Sequence, residues 1–202
     1  MNIDKNGKLR GLTGKTTFTE EDLSPSVLVS TIMPLYRQAF KYGVWEEDLS
    51  IETVISRLEK NFSGKYKGFF LYDKGEVCIG ASWYEFVNPE WLYINKYPKL
   101  AEFAENYIEF NSLGACIWQA ETMVHPDFQN QGIASFLKQK IDDSLRSGSK
   151  QTNGAFVCTR LREDNSHIIK INLKYGFQRT GITMPCSLKP ETNHEFWYKI
   201  YH

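Results

Sequence analysis

The chain has 202 residues, 42% of them hydrophobic, with 24 Lys plus Arg set against 24 Asp plus Glu. This length and apolar content can bury one sizeable core, so a single domain over 1–202 is expected, and the balanced charge gives no net field to draw nucleic acid or an anionic membrane. No apolar run reaches the length of a membrane span, and the first twenty residues carry Lys5, Lys8, Arg10 and Lys15 without an apolar core, so a cytoplasmic location is expected.

Near the start, Gly11-Leu12-Thr13-Gly14-Lys15-Thr16 imitates the end of a phosphate-binding loop. Leu9 stands where that motif needs its first glycine and no buried strand precedes it, so the segment reads as a solvated turn before a short strand at Lys15 to Phe18. Ser24-Pro25 supplies an N-cap and an N1 proline for a helix whose stripe is Leu28, Ile32, Leu35, Tyr36 and Phe40, with Pro34 expected to kink or split it. A second helix starts at Ser50 or Ile51, carries Ile51, Val54, Ile55, Leu58 and Phe62 on one face, and stops at Gly64. The loop between them, with Trp45, Glu46, Glu47 and Asp48, reads either as a solvated acidic loop or as a surface that recognises a cation.

Phe69 to Tyr72 and Val77 to Phe86 form a predicted hairpin around Asp73-Lys74-Gly75-Glu76. A long connection over 87–114 follows, with Trp91, Tyr93 and Tyr97, then a helix-like segment after Pro98 with Leu100, Ala104, Tyr107 and Ile108 on one face. A connection of that length is a candidate lid or a candidate homodimer surface. Ala115 to Val124 is rich in apolar and β-favouring residues and ends at His125-Pro126, because proline cannot donate to a ladder. Ile133, Phe136, Leu137, Ile141 and Leu145 then recur at helical spacing. Gly154 to Thr159 predicts another strand, Asn165 opens a helix that closes on Lys174-Tyr175-Gly176-Phe177, and Phe177 to Thr183 and His194 to Tyr201 read as the last two strands. Cys78, Cys116, Cys158 and Cys186 are dispersed, with no paired spacing and no histidine at ligand distance, so neither a metal site nor a disulfide framework is expected.

The strand-to-helix turn at Val124 to Ala134 carries the strongest chemical signal. In Gln129-x-x-Gly132-x-Ala134 the small residues keep side chains clear, while successive backbone N–H groups and the positive end of the helix converge on one point. Such a point suits phosphate or pyrophosphate. This turn, with the Asn165 to Gly176-Phe177 element at matching spacing, resembles the acyl-CoA-binding region of the GNAT superfamily of N-acetyltransferases. The likeness covers about residues 115–180, and the hairpin before it extends it upstream.

The resemblance implies an α/β (α+β) fold: a mixed, mostly antiparallel sheet of six to seven strands, flanked by about four helices, with 87–114 as a helical insertion between strands three and four. It implies acetyl-CoA as co-substrate, no metal, and transfer to the primary amine of a small molecule. A protein acceptor (chain N-terminus or lysine) and a non-catalytic acyl-CoA sensor are the competing readings. It places the CoA on Thr122, Met123, Val124, Gln129, Asn130, Gln131, Gly132, Ile133, Ala134, Ser135 and Asn165. A backbone N–H near Met123 or Val124 would meet the thioester oxygen. Glu121 is the candidate base or amine anchor, although simple alternation sets it opposite Trp118 and Ala120, and a β-bulge would be needed to bring it round. Asn172 stands where many relatives carry a tyrosine acid; an amide can hydrogen-bond a sulfur but cannot protonate it. Tyr175 is the neighbouring alternative. Trp45, Trp83, Glu85 and Trp118 are the candidate acceptor-lining residues.

Overall fold

The computed structural model describes residues 17–21, 25–42, 48–61, 66–73, 77–187 and 189–202. The loop resembling a phosphate-binding motif, Ser24, Trp45, Glu46, Glu47, Gly64 and the hairpin residues Lys74 to Glu76 lie outside them. In chain order the elements are β1 (Thr17–Glu21), α1 (Pro25–Lys41), α2 (Ile51–Asn61), β2 (Tyr66–Asp73), β3 (Val77–Val87), α3 (Pro89–Asn95), α4 (Pro98–Asn111), β4 (Ala115–Val124), a single 3-10 turn (Pro126–Phe128), α5 (Ile133–Ser149), β5 (Ala155–Arg162), α6 (Ser166–Lys174), β6 (Gln178–Pro185) and β7 (Asn193–Tyr201). The expected mixed sheet is present with seven strands, and the insertion is helical. By contact the chain divides into two compact units, one comprising residues up to Tyr84 with Glu121–Ile141, the other Glu85–Ala120 with Asp142–His202.

The first unit holds the strand order β1-β2-β3-β4. β1 pairs antiparallel with β2 from Thr17↔Tyr72 to Glu21↔Gly68. α1 buries Ile32, Leu35, Tyr36 and Phe40, with the Tyr36 and Phe40 rings stacked at 4.3 Å. Pro34 neither splits nor ends α1: the helix runs its full 17 residues with Pro34 exposed. On the solvent side, water can take the carbonyl that a proline leaves without its donor. α2 begins as the sequence indicates, with the Thr53 N–H donating to Ser50 Oγ at 3.2 Å.

The second unit holds the order β4-β5-β7-β6. β4 and β5 are parallel, and their ladder covers Ala115↔Ala155 to Trp118↔Cys158. β5 pairs antiparallel with β7 along its whole length, and β6 with β7. α3 was not foreseen: the sequence reading registered only an aromatic run there. Its cap was legible, since Asn88 accepts from the Trp91 N–H at 2.7 Å and Pro89 takes the first helical position. α3 and α4 place Leu92, Leu100, Ala101 and Ala104 in one core with Cys116, Trp118, Phe156, Cys158 and Phe196. Phe103, Tyr107, Phe156 and Tyr198 extend it as an aromatic cluster, with the Phe156 and Tyr198 rings stacked at 5.9 Å. Elsewhere in this unit the Asp142 carboxylate accepts from Lys199 Nζ at 2.5 Å, Arg146 Nε at 2.7 Å and Tyr201 Oη at 2.7 Å. Burial would raise the Asp142 carboxyl, but these three donors outweigh it and hold it below its usual range.

Candidate functional site

The turn between β4 and α5 lies in the first unit, and its backbone is shaped by two left-handed residues. Asn130 has φ 60° and Gly132 φ 86°; asparagine and glycine are the residues that enter this region at least cost. Alternation of left- and right-handed residues turns successive N–H groups toward one side, making an anion-binding concavity. The first bond of α5 runs from Phe136 N to Gly132 O at 2.9 Å, so the N–H groups of Ile133, Ala134 and Ser135 precede the intrahelical ladder. A helix of 17 residues adds its positive end at the same place.

Several contacts within the first unit fix this turn. His125 N donates to Ile79 O of β3 at 2.9 Å, and Phe128 N returns to His125 O at 2.9 Å. His125 Nδ1 accepts from Asp127 N at 3.3 Å, and the Gln129 amide reaches Val124 O at 3.4 Å. Gln129 thus braces the end of β4 with its side chain, while its backbone N–H closes the 3-10 turn on Pro126 O at 3.2 Å. Gly80 on β3 is what lets α5 sit so close: a Cβ there would stand 2.7 Å from Ile133 Cγ2 and 3.2 Å from Leu137 Cδ1. Sequence reading missed Gly80, whose signal was a glycine inside a strand pattern, the mark of close approach by another element.

Ser82 Oγ donates to the Glu121 carbonyl at 2.8 Å and lies 2.7 Å from Thr122 Oγ1. Thr122 therefore shares a face with Ser82, which, two residues from Gly80, is on the side of the first turn of α5; by alternation Glu121, next to Thr122, is on the other face. Glu121, Thr122 and Val124 are half-buried, and Met123 is buried. Of the turn residues, Gln129 and Asn130 are exposed, Ile133 is buried, and Gln131, Gly132, Ala134 and Ser135 are half-buried. Beside the turn, a cleft of about 410 Å3 is lined by Gln38 and Tyr42 with His125, Pro126 and Asp127. Gln38 carried no signal and Tyr42 only as the first residue of the loop before α2, because only the fold brings the end of α1 to a turn more than eighty residues away.

In the second unit, Asn165 caps α6, its side-chain oxygen accepting from Ile168 N at 3.4 Å. Asn172 is 1% exposed, and among the described residues neither its amide nitrogen nor its amide oxygen has a hydrogen-bond partner. Tyr175, half-buried, ends α6 with Lys174 Nζ 4.9 Å from its ring centroid. Glu85 and Trp118 are buried here, and Trp83 is buried in the first unit. Trp118 packs in the core beneath α3 and α4, with Lys96 over its ring. Trp45 lies outside the described residues. β5 stays paired to β7 as far as Arg162↔His194, while the ladder of β4 with β5 covers only the four pairs ending at Trp118. The remaining length of β4, Gln119–Val124, leads from there into the turn.

The fold is that of solved GNAT-family acetyltransferases. The ribosomal-protein-S18-alanine N-acetyltransferase of Escherichia coli matches with a TM-score of 0.59 at 16% identity, over 91% of this chain and 94% of that one. An acetyltransferase of the GNAT family from Streptococcus pneumoniae matches with a TM-score of 0.57 at 11% identity, over 92% and 100%. yncA of Salmonella typhimurium, solved with its cofactor acetyl-CoA, matches with a TM-score of 0.54 at 14% identity, over 90% and 92%. No family model matches the sequence, and comparison with curated proteins gives no match. At these identities the likeness is one of fold.

Proposed function

We propose that this chain transfers the acetyl group of acetyl-CoA to the primary amine of a small molecule by direct attack on the thioester. The observation that carries this reading is the turn at the start of α5, with left-handed Asn130 and Gly132 at the positive end of a 17-residue helix, set after β4 in a GNAT fold. The Gln129 N–H is donated to Pro126 O, so it is the N–H groups from Asn130 to Ala134 that fit a pyrophosphate. The pantetheine arm is assigned to Gln119–Val124, the part of β4 beyond its four-pair ladder with β5. The N–H of Met123 or Val124 would then hold the developing oxyanion.

An alkyl ammonium has a pKa of about 10.4, so its proton must leave before attack. Glu121 is the group assigned to accept or relay it, on the strength of its place in β4, on the face opposite Thr122. The leaving thiolate draws its proton from solvent in this scheme, because Asn172 can only donate a hydrogen bond. Four free cysteines, three of them buried, fit a reducing, cytoplasmic setting. The reading is tested by free-thiol release from acetyl-CoA across a panel of primary amines. Amine-dependent release that Glu121→Gln slows about 100-fold is expected, in line with general base catalysis; release independent of amine in every case would overturn it.

One observation favours a second reading. The unpartnered amide of Asn172 replaces an acid, which suits an acyl-CoA sensor that binds without turnover. Tight acetyl-CoA binding with no thiol release from any amine, small or peptidic, would select it.

A further inference from the structure

Lys96 closes α3, and its ammonium lies 4.7 Å from the ring centroid of Trp91 and 4.9 Å from that of Trp118. Two indoles of different elements thus bracket one cation. An ammonium over an indole face is held by the negative centre of the ring quadrupole, and tryptophan is the strongest side chain for this. Both indoles are held in place: Trp118 is 4% exposed within the core beneath α3 and α4, and Trp91 packs against that same core. The Trp91 N–H is capped by Asn88, so the α3 end of the box is positioned by the helix start. Cys158, opposite Trp118 in the ladder, adds the depth of the site. Its thiol is pushed well up by burial and by the neighbouring Cys116, and pulled back by the charge of Lys96. The indole Nε1 of Trp91 is buried and has no hydrogen-bond partner among the described residues, so the box also offers a donor.

The geometry points to an alkylammonium-binding box formed by Trp91 and Trp118, in which Lys96 is a tethered occupant that a cationic ligand must displace. Lys96 is half-buried and follows three exposed residues, Tyr93, Ile94 and Asn95, so its side chain has a route to solvent. A lysine's butylammonium end fits between the rings, and the ligand class is accordingly an unbranched primary alkyl ammonium. Lys96 sets a threshold that weak cations do not pass, and the box stands whether or not the acetyltransferase reading proposed above does.

The box can be tested without acetyl-CoA, so that its failure and the failure of the acetyltransferase reading are told apart. n-Butylammonium is titrated against tryptophan fluorescence at constant ionic strength, with n-butanol as the uncharged control. Lys96→Ala is expected to bind n-butylammonium about 2- to 30-fold more tightly than the wild type, the span of one cation–π contact, with no matching gain for n-butanol. Adding Trp91→Leu to Lys96→Ala should abolish the gain. Lys96→Ser serves in the same assay should the alanine variant melt early. Equal responses to n-butylammonium and n-butanol, or a gain that survives Trp91→Leu, would overturn the proposal.

Discussion

Asn172 combines two properties that are costly together: it is 1% exposed, and neither amide atom has a partner among the described residues. A buried, unsatisfied polar group costs roughly 1–3 kcal/mol. Asn172→Leu, which keeps the branching of the side chain and replaces both polar atoms by methyl groups, should therefore raise stability by about 1–3 kcal/mol, or a few degrees in melting temperature for a chain of this size. If the amide serves the thioester sulfur, the same variant should slow acetyl transfer about tenfold, the worth of one hydrogen bond. A variant that loses stability, or gains it with the rate untouched, would deny Asn172 that role. Its position was legible from spacing to Gly176-Phe177, but its isolation was not, because a lone asparagine on a helix gives no sign of what surrounds it. Trp83, Glu85 and Trp118 show the same limit. They were named as candidate acceptor-lining residues, while their burial depended on packing that no local pattern contains.

His194 gives a pH prediction that starts from one residue. Burial, with Arg160 and Arg162 nearby, lowers its pKa to about 4, against the pull of Asp164. The folded chain thus holds His194 neutral, and its Nδ1 has no hydrogen-bond partner among the described residues. The unfolded imidazole takes its proton near pH 6.5, so stability is fully present above that and falls as pH drops toward 4. The loss is on the order of 3 kcal/mol across that window. Urea unfolding at pH 7.5, 5.5 and 4.5 should show it, and His194→Gln should flatten the slope; an unchanged slope in the variant would assign the loss to other groups.

At the scale of elements, β4, the turn and α5 work as one device, because each part fixes the next. β4 ends at Val124 since His125-Pro126 cannot continue a ladder, and the His125 N–H is held by Ile79. The first turn of α5 then settles onto Gly80, where a Cβ would stand 2.7 Å from Ile133. Gly80→Ala should push the helix start outward, costing about 1–3 kcal/mol of stability and weakening acetyl-CoA binding. A calorimetric titration beside a thermal melt measures both, and undisturbed binding would mean that the helix end does not set the site. This device was legible in the sequence because its signals are local: strand pattern, proline, glycine and helical period. α3 was missed for a related reason. Its cap, Asn88-Pro89, was present, but seven residues give too few turns for a period to register. Pro34 does not split α1, because the helix buries Ile32, Leu35, Tyr36 and Phe40 while Pro34 is exposed.

At the scale of the whole molecule, the fold is what the comparisons show. Most single strands and helices follow from periodicity and turn chemistry, the sheet's arrangement and the helical insertion from the resemblance, and the fold matches solved GNAT acetyltransferases over 90% or more of the chain. Clusters that meet only in space were not legible: Gln38 and Tyr42 with His125 in one unit, Lys96 with Trp91 and Trp118 in the other. Acid stability is likewise assembled from distant parts. Asp142 on α5 collects Lys199 and Tyr201 from β7, and since these donors hold its carboxyl low, their contribution persists above the ordinary carboxylate pKa and is lost as pH falls through the lowered one. That loss lies at the acid end, below most of the His194 window.

The central claim is that the turn after β4 is built to hold the pyrophosphate of an acyl-CoA, and isothermal titration with acetyl-CoA tests it most directly. Wild-type protein should bind in the micromolar range or tighter. Gly132→Glu, which forces a side chain into a φ of 86° and places a negative charge at the anion site, should lose about 100-fold or more in affinity. Absence of binding by the wild type, or equal affinity in the two proteins, would contradict it.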